Sequence, residues 1–79
     1  MPIRLKLTVH AQSRFLERGI EIEHVRAAIL HPDSSENAYE GKIKVRKKIN
    51  AEKEIEVIYF KDGFRGNLND RIVVTAYYI

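Results

Sequence analysis

Three side chains capable of chemistry recur at a four-residue step near the N-terminus: His10, Arg14 and Arg18. On a helix that step stacks them along one stripe. Glu17 falls on the same side, while Val9, Gln12, Phe15 and Leu16 fall on the other, which reads as the core-facing side. Two arginines at i,i+4 repel each other by a few tenths of a kcal/mol, so helix stability alone would favour a glutamate at one of these positions. An anion beside the stripe, either a substrate or carboxylates elsewhere in the fold, gives a reason for the arrangement. Histidine is the side chain whose ordinary titration lies nearest neutrality, which suits His10 to general acid or base work. The plainer role for His10 is to cap or pack at a helix start. A guanidinium holds phosphate through planar, charge-assisted hydrogen bonds, which suits Arg14 and Arg18 to a clamp. The alternative for both is structural ion pairing with Glu17, Glu21 or Glu54. That alternative weighs more for Arg18, at a helix end where a cation also favours the dipole.

A second group of candidates is strand-borne. On a strand, Lys42, Lys44 and Arg46 project to one face and Ile43 and Val45 to the other. Three cations on one face can track a phosphate backbone, or can guard an edge strand against aggregation. Lys47 and Lys48 break the alternation, so a bulge or strand end is expected there. Near the C-terminus Thr75 and Tyr77 share a strand face with Val73 and Ile79. Tyr77 can stack on a base or place a phenol near phosphate, and the alternative is a core tyrosine with its hydroxyl at the rim. Tyr39 and Tyr59 read as packing residues. The stretch Gly63-Phe64-Arg65-Gly66 presents an aromatic ring and a cation on a loop, where they can touch a base or a partner. His24 and His31 have no Cys, His or Asp at a spacing that argues for a metal, so none is expected.

Composition sets the frame for these candidates. At 79 residues the chain is one small domain, and a chain this short buries roughly 60% of its unfolded surface. Charged residues make up 32%, with no cysteine and one methionine, a balance that leans towards a thermophile. Without cysteine there are no disulfides or thiolate metal sites, which fits a reducing cytoplasm. No signal-peptide pattern and no run of membrane-spanning length is visible. The net charge of +3 is mild, but its distribution is uneven. Residues 21–40 carry Glu21, Glu23, Asp33, Glu36 and Glu40 against Arg26 alone, whereas residues 42–48 carry five cations and no acid.

The elements that must position these residues follow from periodicity. Residues 2–7 alternate apolar and basic, a short strand with Ile3, Leu5 and Leu7 facing in. Thr8 can N-cap a helix over 9–18, Gly19 suits the left-handed residue that stops it, and Ile20 can close that end. A second helix begins after Ile20 with Glu21 as a weak N-cap and Glu23 in its first turn. It buries Ile22, Val25, Ala28 and Ile29 and ends before Pro32. Residues 31–35 read as a loop. Residues 37–40 and 42–46 read as a hairpin turning near Gly41, with a further turn at 50–53 and a strand at 54–60. Residues 62–70 form a polar loop, and 71–79 a last strand. Both late strands are apolar on two faces, which suits the middle of a sheet. The predicted fold is α+β: a short N-terminal strand, two helices, then a four-stranded antiparallel meander with both helices on one sheet face.

The run His10-Ala11, Arg14, Glu17-Arg18-Gly19-Ile20, with Pro32-Asp33 after the second helix and Thr75-Ala76-Tyr77 in the last strand, resembles a widespread microbial domain-of-unknown-function family. The match runs over nearly the whole chain. That family is similar in plan to the RelE/BrnT group of small toxin ribonucleases. The resemblance implies a single RelE/BrnT-like domain over 1–79 that cleaves RNA without a metal or other cofactor. A 2′-hydroxyl would attack the neighbouring phosphate while positioned basic groups stabilise the transition state. It implies His10, Arg14 and Tyr77 as catalytic residues, and Arg18, Lys42, Lys44, Arg46 and Thr75 as substrate-binding residues. RNA and a cognate antitoxin are the implied partners. A non-catalytic module that binds nucleic acid or protein is the alternative, and a purely structural domain with Arg14 and Arg18 in ion pairs is a third.

Overall fold

The computed structural model describes residues 4–60 and 70–79, so Ile3 and the 63–66 loop lie outside the described residues. In chain order the elements are β1 (Arg4–Leu7), α1 (Val9–Arg18), α2 (Ile22–Leu30), β2 (Ser34–Asn37), a single 3-10 turn (Tyr39–Gly41), β3 (Lys42–Lys48), β4 (Glu54–Phe60) and β5 (Asp70–Tyr78). The architecture is α+β, with the strands in the order β1-β5-β4-β3-β2. β2 to β5 form the expected antiparallel meander. β1 adds a fifth strand, paired parallel to β5 from Arg4↔Asp70 to Leu7↔Val73, which makes the sheet mixed.

Local chemistry sets the helix ends. Thr8 Oγ1 accepts the Ala11 amide at 3.0 Å, as an N-cap should. Gly19 adopts φ 62°, and its amide bonds the Phe15 carbonyl, which the Ile20 amide also reaches at 3.1 Å. Both helices lie on one face of the sheet, α1 over β5 and β1 and α2 over β4 and β3. Ala11, Phe15, Ile20, Val25, Ala28 and Ile29 pack there against Val45, Ile55, Val57, Tyr59, Val73 and Ala76.

Several expectations need correction. Phe15 is buried as expected, but Val9 and Leu16 do not face the core; they are 84% and 87% exposed, and Ala11 is buried instead. α1 is covered on one side only, and its burial centres on that i,i+4 pair, so apolar residues well round the wheel from it point to water. Ile22 is likewise partly exposed, while Val25, Ala28 and Ile29 are buried. The first meander strand is Ser34–Asn37, which begins inside the stretch read as a loop and ends where the expected strand starts. Residues 39–41 turn instead of extending, with Glu40 and Gly41 at φ 58° and 76°. All four β2 residues are exposed, so this edge strand has no apolar alternation to betray it. Tyr39 is exposed rather than packed, whereas Tyr59 is buried. Of the bulge or strand end expected at Lys47 and Lys48, the structure has the strand end: β3 pairs without a shift and stops at Lys48. Lys47 stays on the helix side, where its ammonium reaches the His31 carbonyl at 3.0 Å.

The irregularity lies elsewhere. β4 and β5 pair Ile58↔Thr75 and then Tyr59↔Val73, which leaves Val74 as a bulge. The bulge resets the alternation, so the core position passes from Val73 to Ala76, three residues on. Val73 therefore faces the helices, whereas Thr75 and Tyr77 face the opposite side and do not share its face.

Truncating Phe15 to alanine should destabilise the protein by about 3–5 kcal/mol, whereas Leu16→Ala should change stability by less than about 0.5 kcal/mol. Urea denaturation reads both, and a larger loss for Leu16→Ala would contradict the orientation of α1.

Candidate functional site: the open face of the sheet

Alternation along the strands assigns every side chain to one sheet face. With Ile43, Val45, Ile55 and Val57 turned to the helices, Lys42, Lys44 and Arg46 of β3 point to the helix-free face, as the sequence pattern requires. Register then builds two neighbouring rows across four strands. Ser34, Arg46, Glu56 and Tyr77 stand side by side in one, and Glu36, Lys44, Ile58 and Thr75 in the next. Lys42 stands opposite Phe60, with its ammonium 5.5 Å from the ring centroid.

Charge pairing organises both rows. Arg46 Nε donates to Glu56 Oε1 at 2.7 Å, and Glu56 is only 2% exposed. The Arg46 side chain keeps 47% of its surface in solvent. One donor is thus engaged by a buried carboxylate, while the rest of the fork stays accessible. The hydrogen bond and charge of Glu56 raise the pKa of Arg46 above its ordinary value. In the next row Lys44 Nζ lies 2.7 Å from Glu36 Oε1. That hydrogen bond and charge hold the Glu36 carboxyl below its ordinary range and raise Lys44 in return. A depression at this side of the face is lined by Ser34, Ser35, Glu36, Lys44 and Arg46.

Arg18 enters from the other side of the sheet. β1 pairs with β5 only as far as Val73, so beyond it no described strand covers the outer side of β5. There Arg18 Nη1 donates to the Ala76 carbonyl at 3.3 Å, and its guanidinium carbon sits 5.9 Å from the Tyr77 ring centroid. A shallow depression at this end is lined by Arg18, Tyr77 and Tyr78. Arg18 thus makes a backbone bond and a cation–π contact.

His10 and Arg14 form a separate pair on α1. Arg14 Nε donates to His10 Nε2 at 3.4 Å, and Arg14 Nη1 meets Glu17 Oε2 at 3.2 Å. The sequence places Arg18 with Lys42, Lys44, Arg46, Thr75 and Tyr77 as candidates, and the structure gathers these about one face. His10 and Arg14 stand on α1, which packs on the other face.

Two groups escape the sequence reading. Glu56 lies in a strand that looks merely apolar in its second half, yet a carboxylate alternating with Ile55 and Val57 must face away from the core. Opposite the basic strand, that position is an ion-pair site. The second group is Glu21, His24 and Tyr78. His24 Nδ1 lies 2.9 Å from Tyr78 Oη, His24 Nε2 lies 3.0 Å from Glu21 Oε2, and the Glu21 amide donates to Tyr78 Oη at 3.2 Å. Tyr78 lies more than fifty residues from the other two, so no local signal could have joined it to them.

Arg46→Ala should lower stability more than Glu56→Gln does. The first leaves a buried carboxylate without its partner, whereas the second leaves a guanidinium that solvent already reaches. Equal losses in urea denaturation would contradict the asymmetry. For Glu36 and Lys44 the stability difference between wild type and Lys44→Ala should hold steady between the ordinary values of 4.5 and 10.5. Glu36's lowered pKa adds stability that is lost as pH falls through the lowered value. Lys44's raised pKa adds stability that is lost as pH rises through the raised value. A difference that widened in acid would contradict the pairing.

Among the described residues no helix is long and apolar enough to cross a membrane. Neither a family model, nor a curated protein, nor a solved structure matches the chain.

Proposed function

We propose that the protein acts on RNA, with the helix-free face of the sheet as its RNA-facing surface. The observation that carries this reading is the pair of cross-sheet rows. Lys44 and Arg46 stand in register with Thr75 and Tyr77, and Arg18 closes the end of the Tyr77 row. Cations spaced along β3 suit a phosphate backbone, and the aromatic rings of Tyr77 and Phe60 on the same face suit unpaired bases. Glu36 and Glu56 hold Lys44 and Arg46 in place before a ligand arrives, which lowers the entropy lost when they meet a phosphate. Single-stranded RNA fits better than a duplex, because stacking needs exposed base planes.

Cleavage of the bound strand, without a metal and in the manner of a toxin ribonuclease, is the more specific form of this reading. What favours it is Arg18 and Tyr77 in contact at one depression, where a guanidinium can neutralise charge developing on a phosphorane. On that form the protein works in the cytoplasm, and a cognate antitoxin is the partner to seek.

Fluorescence anisotropy with a labelled single-stranded RNA, in chelator and over a salt series, tests the reading. Wild type should bind, with affinity falling linearly on a log–log salt plot. Lys42→Ala/Lys44→Ala should bind more weakly and flatten the slope by about 0.7 per lost phosphate contact. No binding, or an unchanged slope in a folded double variant, would refute the assignment of this face.

A further inference from the structure

We propose that the outer edge of β2 pairs with β2 of a second copy of this chain, antiparallel about a two-fold axis at Ser35, so that two five-stranded sheets join into one. The inference rests on the sheet edge and stands whether or not the open face takes RNA.

β2 is the last strand on its side of the sheet, and among the described residues nothing pairs with its outer side. Hydrogen-bonded and non-hydrogen-bonded pairs alternate along an antiparallel ladder. The Ala38 amide donates to the Lys42 carbonyl at 2.8 Å, and the register continues Asn37↔Ile43 by one step to set those two residues opposite each other. Ala38, Glu36 and Ser34 therefore bond to β3, and the N–H and C=O groups of Ser35 and Asn37 point away from the sheet. Sheet edges are usually shielded by lysine, proline or a bulge. Ser34–Asn37 has none of these, and its one charge, Glu36, is engaged by Lys44 at 2.7 Å. Shortness is the strand's only guard.

Parity fixes the register. Directly opposed residues of an antiparallel pair lie on one face, so the axis must set one residue against its own copy. At Glu36 it would oppose two carboxylates. At Asn37 or Ser34 it would oppose Ser35 to Tyr39, or Glu36 to Pro32, both outside the strand. At Ser35 it opposes Ser34 to the partner's Glu36, whose carboxylate accepts from the serine hydroxyl. The two Ser35 residues then exchange both backbone bonds, because their N–H and C=O groups are outward ones.

Charge completes the fit. On the helix-free face the row Glu56, Arg46, Ser34 runs on into the partner's Glu36 and Lys44, so carboxylate and cation alternate across the join. Arg46 keeps part of its fork in solvent beyond the bond to Glu56, and Glu36 keeps Oε2 beyond the Oε1 contact with Lys44. Arg46 and the partner's Glu36 stand two strands apart, about 10 Å between backbones, with only the short Ser34 side chain between them. The axis repeats this ion pair. Antiparallel pairing also carries the Tyr39 turn towards the partner's Leu30 and His31, and Tyr39 and Leu30 are exposed apolar residues in need of cover.

Sedimentation equilibrium of the full chain, over about a thousandfold range of concentration from micromolar to millimolar, tests the pairing. A four-residue strand makes a small contact and hence a weak dimer. The mass should rise from 9.2 kDa at the dilute end towards twice that value. Ser35→Pro should hold it at the single-chain value, because it removes the outward N–H at the axis and no bond to β3. The chain has no cysteine, so cross-linking reads the register. Ser35→Cys sets two thiols on residues about 5.5 Å apart, within disulfide reach, and should oxidise to a covalent dimer. Asn37→Cys sets them four residues out of register, about 13 Å along the strand, and should stay a monomer. The cysteine pair decides the question even if Ser35→Pro fails to fold. A wild type that keeps the single-chain mass throughout overturns the proposal and leaves the edge to a strand of another protein. A dimer that survives in folded Ser35→Pro, or one that Asn37→Cys cross-links as readily as Ser35→Cys, overturns it as well.

Discussion

The register of β3 on β4 is the constraint from which the rest of the structure follows. Val45 opposite Val57 and Ile43 opposite Tyr59 give the helices an apolar surface to cover. The same pairing sends Lys44 and Arg46 to the other face, one of them opposite Glu56. A slip of one residue would exchange the two sets and press cations against Val25 and Ile29 of α2. Charges buried without partners are among the costliest defects a small core can hold. The apolar core and the basic face are therefore one choice of register, and the cations on the open face help to enforce it. Arg46 adds a local pin, because its Nε contact with Glu56 forms only when those two residues stand opposite each other.

The bulge at Val74 is the second constraint. It sits between two stretches of β5 with different duties. Below it, β5 pairs with β1 in parallel and Val73 faces the core. Above it, Ala76 takes over the core position, and the outer side of the strand is met by Arg18 instead of another strand. The same shift assigns two adjacent tyrosines to opposite faces. Tyr77 turns to the open face beside Glu56. Tyr78 turns to the helices, where it meets His24 and the Glu21 amide. Without the extra residue the faces above Val73 would exchange, and Ala76 would no longer lie under α1.

What could be read from the chain divides along the same physical lines. Both ends of α1 were legible because capping is local chemistry: Thr8 offers a hydroxyl within three residues, and Gly19 tolerates a left-handed backbone. Of the three interior strands, β4 and β5 were legible as such because they carry apolar residues on both faces. The inner face of α1 was not, because hydropathy ranks Val9 and Leu16 above Ala11, whereas close approach to β5 favours the smaller side chain. β2 was hidden for the opposite reason: an exposed edge strand needs only backbone bonds and carries no side-chain pattern. Of the site, Lys42, Lys44 and Arg46 could be placed on one face from alternation. That Thr75 and Tyr77 join them depends on the bulge, and the Glu21–His24–Tyr78 cluster depends on tertiary contact over a long stretch of chain.

Gly19 ties these features together. Its left-handed conformation stops α1 at Arg18 and turns the chain within two residues. Arg18 is left as the last helical residue, free to reach the Ala76 carbonyl and the Tyr77 ring. Ile20 drops into the core. Glu21 begins α2 without a side-chain cap of its own, so its carboxylate is available to His24 and its amide to Tyr78. Arg18 and Glu21, three residues apart, thus meet the end of β5 from opposite faces, the guanidinium on Tyr77 and the Glu21 amide, joined by the His24 imidazole, on Tyr78. A helix that ran one turn further would carry Arg18 and Glu21 on one continuous spiral, and they could not address opposite faces of the same strand. The stop at Gly19 is therefore what converts a basic helix stripe into one charged residue placed at the sheet's end.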